Sequence, residues 1–455
     1  MSMKKQLKNI IFSIIIFLIV LSFLIPLFLL IKANATYNDQ LKLKSEIVYL
    51  ENLDQNTVIF DKNADMKTSP ASLVKILLAI IVIENNKNLN KEVTAKRELL
   101  SSLSGTGSSV AGIKADEVLT VEQLLYCLLI RSGNDAALVL ADDTAGSTEA
   151  FVGMMNEKAK KLGCKNSHFS NVHGLDDAGT YTTARDMAII TKYALKNPEF
   201  KKITSSKSYT LKATNKRPQD STFGSTNLML FPYFPYYYRY ASGVKTGTTE
   251  NAGKCLISTA SKNGYNYLSV VMKAPYDDKN AKSETNYTVF KETREIFEWA
   301  FNNLKLKNIA GVNDFITDIP IRFGRKTDTL RLVPKEEVNV LLPKGIDPSA
   351  VIVTPVDSKM VVSAPVKKGA KICQGKIMYA NNEIARVDLV AGESVGLSVP
   401  GFFGYFFKTF FKSKSGKIIT FILILLILAV VGLVLFIKKK KDEKIIRVVR
   451  INKRK

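Results

Sequence analysis

Apolar and polar positions alternate in different rhythms along this chain. Two stretches are apolar almost without a break, Ile10 to Ile31 and Ile418 to Ile437. A helix rises 1.5 Å per residue, so the second stretch reaches about 30 Å, one hydrocarbon thickness, and is expected to span a membrane. Glu46-Ile47-Val48-Tyr49-Leu50 and Thr57-Val58-Ile59-Phe60 read as two short strands around a turn. Leu73 to Ile83 is apolar nearly all round, which predicts a helix buried inside a domain, too short to cross a bilayer. Ser69 is its expected N-cap, with Pro70 at the first helical position.

Further on, Thr120-Val121-Glu122-Gln123 has the pattern of a capping box and opens a helix to about Ile130. That helix breaks at Ser132-Gly133-Asn134, and another follows from Asp135. Phe151 to Leu162 is amphipathic and ends at Gly163, a C-terminal glycine. Thr183 to Leu195 is a further amphipathic helix, and Glu292 to Asn302 another. Leu256–Ser258 and Tyr267–Met272 carry strand patterns. From about Lys307 to Leu397 short Val/Ile runs alternate with turns such as Pro343-Lys344-Gly345, which predicts a small all-β domain.

Charge sharpens the membrane reading. The 455 residues carry a net +24, of which residues 1–35 hold +4 and residues 401–455 hold +12. The excess therefore flanks the two apolar stretches, where Lys and Arg set membrane orientation, and nucleic-acid binding is not needed to explain it. Lys438-Lys439-Lys440-Lys441 follow the second stretch and place residues 438–455 in the cytoplasm. Lys4, Lys5 and Lys8 precede the first stretch, and Ala33-Asn34-Ala35 follows it as a signal-peptidase pattern. Residues 1–35 are thus a signal peptide or a retained anchor, and either leaves residues 36–415 outside. Residues 401–415 mix Phe402, Phe403, Tyr405, Phe406 and Phe407 with Lys408 and Lys412, a composition suited to the membrane interface. The cysteines Cys127, Cys164, Cys255 and Cys373 form no C-x-x-C pair, and only His168 and His173 accompany them. No metal site or cofactor is expected, and the cysteines read as buried small apolar residues.

Three short motifs carry chemistry. A serine hydroxyl becomes a nucleophile when a base takes its proton, and Ser-x-x-Lys on a helix sets hydroxyl and amine one turn apart. A buried lysine loses ammonium hydration, so its free base becomes accessible. The pattern occurs at Ser2/Lys5, Ser72/Lys75 and Ser242/Lys245, but only Ser72/Lys75 opens a buried helix. Ser132-Gly133-Asn134 lies between helices, where a loop can aim a hydroxyl and an amide into a cleft. Lys245-Thr246-Gly247-Thr248 suits an edge strand whose lysine and threonines hold a carboxylate, with a glycine for close approach. Each motif alone has an ordinary structural explanation: a helix start, an N-cap, a basic hairpin.

Together, in this order, the motifs resemble those of the penicillin-recognising serine enzymes. Pro70-Ala71-Ser72-Leu73, Leu129-Ile130-Arg131-Ser132-Gly133-Asn134-Asp135-Ala136-Ala137, Asn171-Val172-His173-Gly174-Leu175 and Gly243-Val244-Lys245-Thr246-Gly247 resemble low-molecular-mass D-alanyl-D-alanine carboxypeptidases over roughly Glu46 to Phe301. The resemblance implies an α/β (α+β) serine β-lactamase/transpeptidase-like domain at 36–303, with a central antiparallel sheet and helices on both sides. A β-rich domain at 307–397 and a transmembrane helix at 418–437 complete the plan. It implies a peptidoglycan stem peptide ending in D-Ala-D-Ala as substrate and β-lactams as acylating ligands. Ser72 would be the nucleophile, Lys75 its base, and Ser132 the proton relay to the leaving group. Asn134 would hold the substrate amide. Lys245, Thr246, Gly247 and Thr248 would bind the terminal carboxylate, and the N–H groups of Ser72 and Thr248 the oxyanion. The chain departs from its relatives at Val74, where many have Thr. It also has only Lys273, Lys279 and Lys282 where relatives tend to carry an arginine.

Three other readings share these residues. A class A β-lactamase would be expected to show Ser-Asp-Asn at the second motif and a deacylating glutamate in a loop, whereas this chain has Gly133 and no such glutamate around Asn171–Gly179. A D,D-transpeptidase differs only in its acceptor. A silent β-lactam-binding or wall-scaffold protein would not need Ser72, Lys75 and Lys245 intact. His173 is expected to be structural, because no G-x-S-x-G elbow supports a Ser-His-Asp triad.

Overall fold

The computed structural model describes residues 41–275, 287–380 and 382–452. The first apolar stretch, Ala33-Asn34-Ala35, Lys279 and Lys282 lie outside them. The chain divides into two compact units. One comprises the chain up to Lys307 with Asn339–Val351 and Met378–Ala385; the other comprises Asn308–Val338, Ile352–Ile377 and the chain from Arg386 on.

The strands of the first unit are β1 (Ile47–Asn52), β2 (Thr57–Lys62), β3 (Glu92–Thr94), β4 (Val118–Thr120), β5 (Ser208–Leu211), β6 (Ser221–Gly224), β7 (Ala241–Thr249), β8 (Gly253–Lys262) and β9 (Tyr265–Ala274). Five of them form an antiparallel sheet in the order β2-β1-β9-β8-β7, which leaves β7, the strand of the third motif, at an edge. Strand side chains alternate between faces, and β1 shows why helices cover both. Ile47 and Tyr49 enter a core with the helices α1 (Lys75–Asn85), α3 (Val121–Leu129), α4 (Asn134–Ala145), α5 (Thr148–Leu162), α6 (Ala184–Ala194) and α7 (Pro198–Ser205), while α2 (Arg97–Ser101) is a short peripheral turn. Val48 and Leu50 enter the opposite core with Val289, Phe290, Ile296 and Phe297 of α8 (Thr288–Asn303). The sheet strands outrun their apolar segments, since ladder hydrogen bonds carry polar ends such as Lys254 and Lys262 along.

Local signals hold at most helix ends. Thr120 and Gln123 form the reciprocal capping box, and Gly163 closes α5 in the left-handed conformation at φ +89°. The entry to α1 differs from expectation. Ser69 does not cap it: a 3-10 turn, Ala71–Val74, precedes the helix with Pro70 in the N-cap position and no side-chain cap. The Ser69 hydroxyl instead donates to Asp176 Oδ1 at 2.7 Å, an acceptor 107 residues away that local sequence cannot anticipate. The cysteines also divide, Cys127 and Cys255 being buried and Cys164 and Cys373 only half-buried.

Beyond Asn303 the chain turns to strands: β10 (Leu304–Ala310), β11 (Thr317–Arg322), β12 (Thr329–Pro334), β13 (Val338–Pro343), β14 (Val351–Pro355), β15 (Val362–Ser363), β16 (Lys371–Tyr379) and β17 (Asn382–Ala391). Six make one sheet in the order β14-β16-β17-β12-β11-β15, and β10 pairs with β13. Two helices follow, α9 (Val399–Lys412) and α10 (Lys414–Asn452). Phe402, Phe403, Tyr405, Phe406, Phe407 and Phe411 of α9 are all exposed. Within α10, Lys414–Lys440 is the one segment among the described residues long and apolar enough to cross a membrane.

Candidate active site

The 3-10 turn brings the first motif together. Residues three apart eclipse in this geometry, so Lys75 stands directly over Ser72. Lys75 is fully buried, and its Nζ lies 2.8 Å from Ser72 Oγ, 2.6 Å from Asn134 Oδ1 and 2.9 Å from the His173 carbonyl oxygen. Burial pulls the Lys75 pKa well below the usual 10.5, and the Lys245 charge pulls it further, against Asp135. A free amine has two N–H bonds and a lone pair. The Asn134 and His173 oxygens accept the two N–H bonds, which leaves the lone pair facing the Ser72 hydroxyl. Backbone strain flanks the site: Ala71 sits at φ +48° and Ser132 at φ +66°, each in the left-handed region that costs a non-glycine residue about 1 kcal/mol or more.

Ser132 and Lys245 form a second pair. Lys245 is buried, and its Nζ donates to Ser132 Oγ at 2.9 Å and to the Thr246 carbonyl at 2.8 Å. Burial brings its pKa down to about 7. The loop holding Ser132 is fixed by Asp135, whose carboxylate accepts the N–H groups of Ala111, Gly112 and Ile113 at 2.9, 2.9 and 3.0 Å. That carboxylate leaves no room at Gly133, where a Cβ would stand 2.5 Å from Asp135 Oδ1 and 3.1 Å from Ala111 N. Gly133→Asp, which writes the β-lactamase version of the motif, is therefore expected to destabilise the protein by about 3 kcal/mol. Thermal unfolding measures this, and penicillin labelling should fall with it.

The edge strand closes the cleft. At Gly247 a Cβ would meet Ala71 Cβ at 3.1 Å and Ser72 N at 3.3 Å, so glycine lets β7 approach the Ser72 backbone. Ser72, Thr246, Gly247 and Thr248 share a cleft with Ser109, Thr226, Tyr287 and Phe290. Thr246 Oγ1 lies 2.6 Å from Thr226 Oγ1. Lys254, opposite Thr248 in the ladder, also lines this cleft, with Nζ 5.0 Å from the centre of the Tyr287 ring. Lys273 pairs with Glu46 at 3.2 Å.

The polar residues of the three motifs thus converge: Ser72 meets Lys75, Lys75 meets Asn134, Ser132 meets Lys245, and Ser72 shares a cleft with Thr246, Gly247 and Thr248, although positions up to 176 apart supply them. The sequence reading missed the His173 carbonyl, Asp135, Lys254 and Asp176. The His173 ring is half-buried, its Nδ1 accepts the Leu175 N–H at 3.2 Å, and burial lowers its pKa to about 4, with the Lys75 charge adding to the effect. It is neutral at pH 7 and acts through its backbone. Its neighbourhood in the motif Asn171-Val172-His173-Gly174-Leu175 was the only sequence signal for this loop.

Comparison with known proteins agrees with the geometry. Residues 32–276 match the family described as D-alanyl-D-alanine carboxypeptidase, and residues 305–396 match the penicillin-binding protein 5 C-terminal domain. The D-alanyl-D-alanine carboxypeptidase DacC of Escherichia coli is 32% identical over 76% of this chain and 82% of its own length. The D-alanyl-D-alanine carboxypeptidase DacF of Bacillus subtilis is 29% identical over 75% and 83%. The crystal structure of penicillin-binding protein 5 from Haemophilus influenzae superposes with a TM-score of 0.62 at 25% identity, covering 79% of this chain and 99% of that one. The DD-transpeptidase of Streptomyces K15 superposes at 0.53 with 29% identity, covering 58% and 100%.

Proposed function

The chain belongs to the D-alanyl-D-alanine carboxypeptidase family of serine hydrolases, and on that premise we propose that Ser72 is its nucleophile. Ser72 Oγ attacks the penultimate D-Ala carbonyl of a peptidoglycan stem peptide while Lys75 Nζ takes the hydroxyl proton. The N–H groups of Ser72 and Thr248 bind the oxyanion, and one such donor contributes about 10²–10³ in rate. Ser132, hydrogen-bonded to Lys245, passes its proton to the leaving D-Ala nitrogen and regains one from the Lys75 ammonium, which returns Lys75 to the free base. Lys245, Thr246 and Thr248 hold the terminal carboxylate, and Gly247 gives it room. Asn134 keeps its oxygen on Lys75 and offers its amide N–H₂ to the substrate carbonyl. Water then releases the acyl group. A β-lactam acylates the same Ser72 and leaves slowly.

The observation that carries this reading is the 2.8 Å approach of a fully buried lysine amine to Ser72 Oγ, with carbonyl oxygens on its other two sides. The test uses the full-length protein in detergent, incubated with a stem pentapeptide or with penicillin. Mass spectrometry should locate the penicilloyl adduct on the peptide containing Ser72, and D-Ala release should exceed nitrocefin turnover. An adduct elsewhere, or faster nitrocefin turnover, would overturn the assignment.

One observation favours a second activity. The Streptomyces K15 relative, 32% identical over 52% of this chain, is called a D-alanyl-D-alanine carboxypeptidase and its crystal structure a DD-transpeptidase. Adding an amino-acid acceptor to the same assay separates hydrolysis from transfer.

Residues 438–455 lie in the cytoplasm, 418–437 of the candidate helix Lys414–Lys440 cross the bilayer, and the aromatic residues of α9 rest at the outer interface. The catalytic domain, residues 36–303, and the β-rich domain, residues 307–397, then stand on the wall side.

A further inference from the structure

One carboxylate near the cleft has no part in the chemistry above. Asp176 lies in the loop from Asn171 to Thr180, lining the cleft with Ser72, Asn134 and Thr248. Its Oδ1 accepts the Ser69 hydroxyl at 2.7 Å and the Thr249 hydroxyl at 2.7 Å, and its Oδ2 accepts the Asn251 N–H at 3.0 Å. These donors sit on two different segments. Ser69 lies three residues before Ser72. Thr249 follows Thr248, and Asn251 is in the turn that ends β7. The two segments are the ones that carry the two oxyanion-binding N–H groups.

The loop itself is held firmly. The Asp177 carboxylate accepts the Ser170 hydroxyl at 2.6 Å, the Gly179 N–H at 2.8 Å and the Thr180 N–H at 2.7 Å. The His173 carbonyl takes a Lys75 N–H, and a Cβ at Gly174 would stand 2.0 Å from the Ala71 carbonyl oxygen, so loop and nucleophile turn are in direct contact. A base for deacylation would need a free lone pair and a raised pKa. Asp176 has the opposite character: burial raises its pKa, but the three donors outweigh it and hold the carboxyl below the usual 3.8.

We propose that Asp176 is a positioning residue that sets the spacing of the Ser72 and Thr248 N–H groups by clamping Ser69 to Thr249 and Asn251. The proposal rests on the nucleophile and oxyanion assignments above. A misplacement of an ångström in such a hole costs about 10²-fold, because its donors must meet the tetrahedral oxygen and not the ground-state carbonyl. Loss of the clamp should therefore be felt in the transition state and hardly in substrate binding.

The test compares full-length wild type with Asp176→Ala and Asp176→Asn. Three quantities are read: kcat and KM for D-Ala release, and the Kd of a boronic acid that forms a tetrahedral adduct on the serine. Asp176→Ala should lower kcat by about 10- to 100-fold with KM within threefold, and weaken the boronate by the same factor. Asp176→Asn keeps an oxygen for the two hydroxyls but sets an N–H₂ against the Asn251 N–H, so its losses should be smaller and again equal in kcat and boronate Kd. This variant carries the test if the alanine protein does not fold. Unchanged kcat and boronate Kd, or a rise in KM that accounts for the whole loss, would overturn the proposal. Failure of wild type to form an adduct on Ser72 would sink the underlying assignment instead, and mass spectrometry of the same samples separates the two.

Discussion

Ser72→Ala protein is expected to release D-Ala at a rate lower than wild type by about 10⁴-fold or more, and to take up no covalent penicillin. The covalent route needs an oxygen nucleophile, and alanine supplies none. The fold should survive the change. Lys75 keeps the Asn134 and His173 oxygens as partners, and the deleted atom is one hydroxyl on a half-buried residue at the cleft. The melting temperature should stay within a few degrees of wild type, as expected for loss of about 1 kcal/mol. Fluorescent penicillin on a denaturing gel measures the label, and a coupled D-Ala assay measures the rate. Labelling that persists in Ser72→Ala would place the nucleophile elsewhere, with Ser132 the nearest hydroxyl partnered by a buried lysine.

Lys75→Met should lower acylation by about 10³-fold while leaving the protein folded, whereas Lys75→Arg should both inactivate and destabilise it. Methionine fills the buried space without a charge. Arginine brings a larger cation that cannot give up its proton. The pH dependence tells the two lysines apart. Lys75 must be a free base, so kcat/KM should fall as pH drops through its lowered pKa, and Lys75→Met should lose that acid limb. In the proposed reaction Lys245 holds the carboxylate as a cation, so kcat/KM should also fall as pH rises past about 7, the value burial gives it in the free enzyme. The bound carboxylate keeps the proton on Lys245, so the alkaline limb of kcat should lie higher than that of kcat/KM. Because the lysines repel one another, the limbs belong to the pair. Stability follows the same sign. The unfolded chain binds more protons than the folded one between the lowered pKa and 10.5, so stability rises with pH across that window and is lost below it. A flat kcat/KM profile from pH 5 to 9 would contradict the pairing.

The C-terminal apolar helix and the strands were legible for simple reasons. A candidate span is read from length and apolarity alone, and Ile418–Ile437 falls inside the helix Lys414–Asn452. The apolar run of β1 marked a strand, while helices on both sides of the sheet were implied by the family resemblance; Ile47 and Tyr49 enter one core and Val48 and Leu50 the other. The helix stop at Gly163 and the capping box at Thr120 are local bonds, and both formed as the residues foretold. Ser69 broke the pattern because the 3-10 turn that precedes the helix takes Pro70 as its N-cap, which leaves Ser69 one position outside. Its hydroxyl proton goes to Asp176, a carboxylate brought in by a distant loop.

What the chain determined unaided is the pair Ser72 and Lys75, because three positions of one helical turn fix their distance whatever surrounds them. Tertiary structure decided what that pair can do. It buried the amine, set the Asn134 and His173 oxygens on two of its sides, joined Ser132 to Lys245 across 113 residues, and drew Asp176 against both walls. The physical reason is range. A turn is specified by neighbours in sequence, whereas desolvation and convergent hydrogen bonds exist only once remote segments have packed and excluded water.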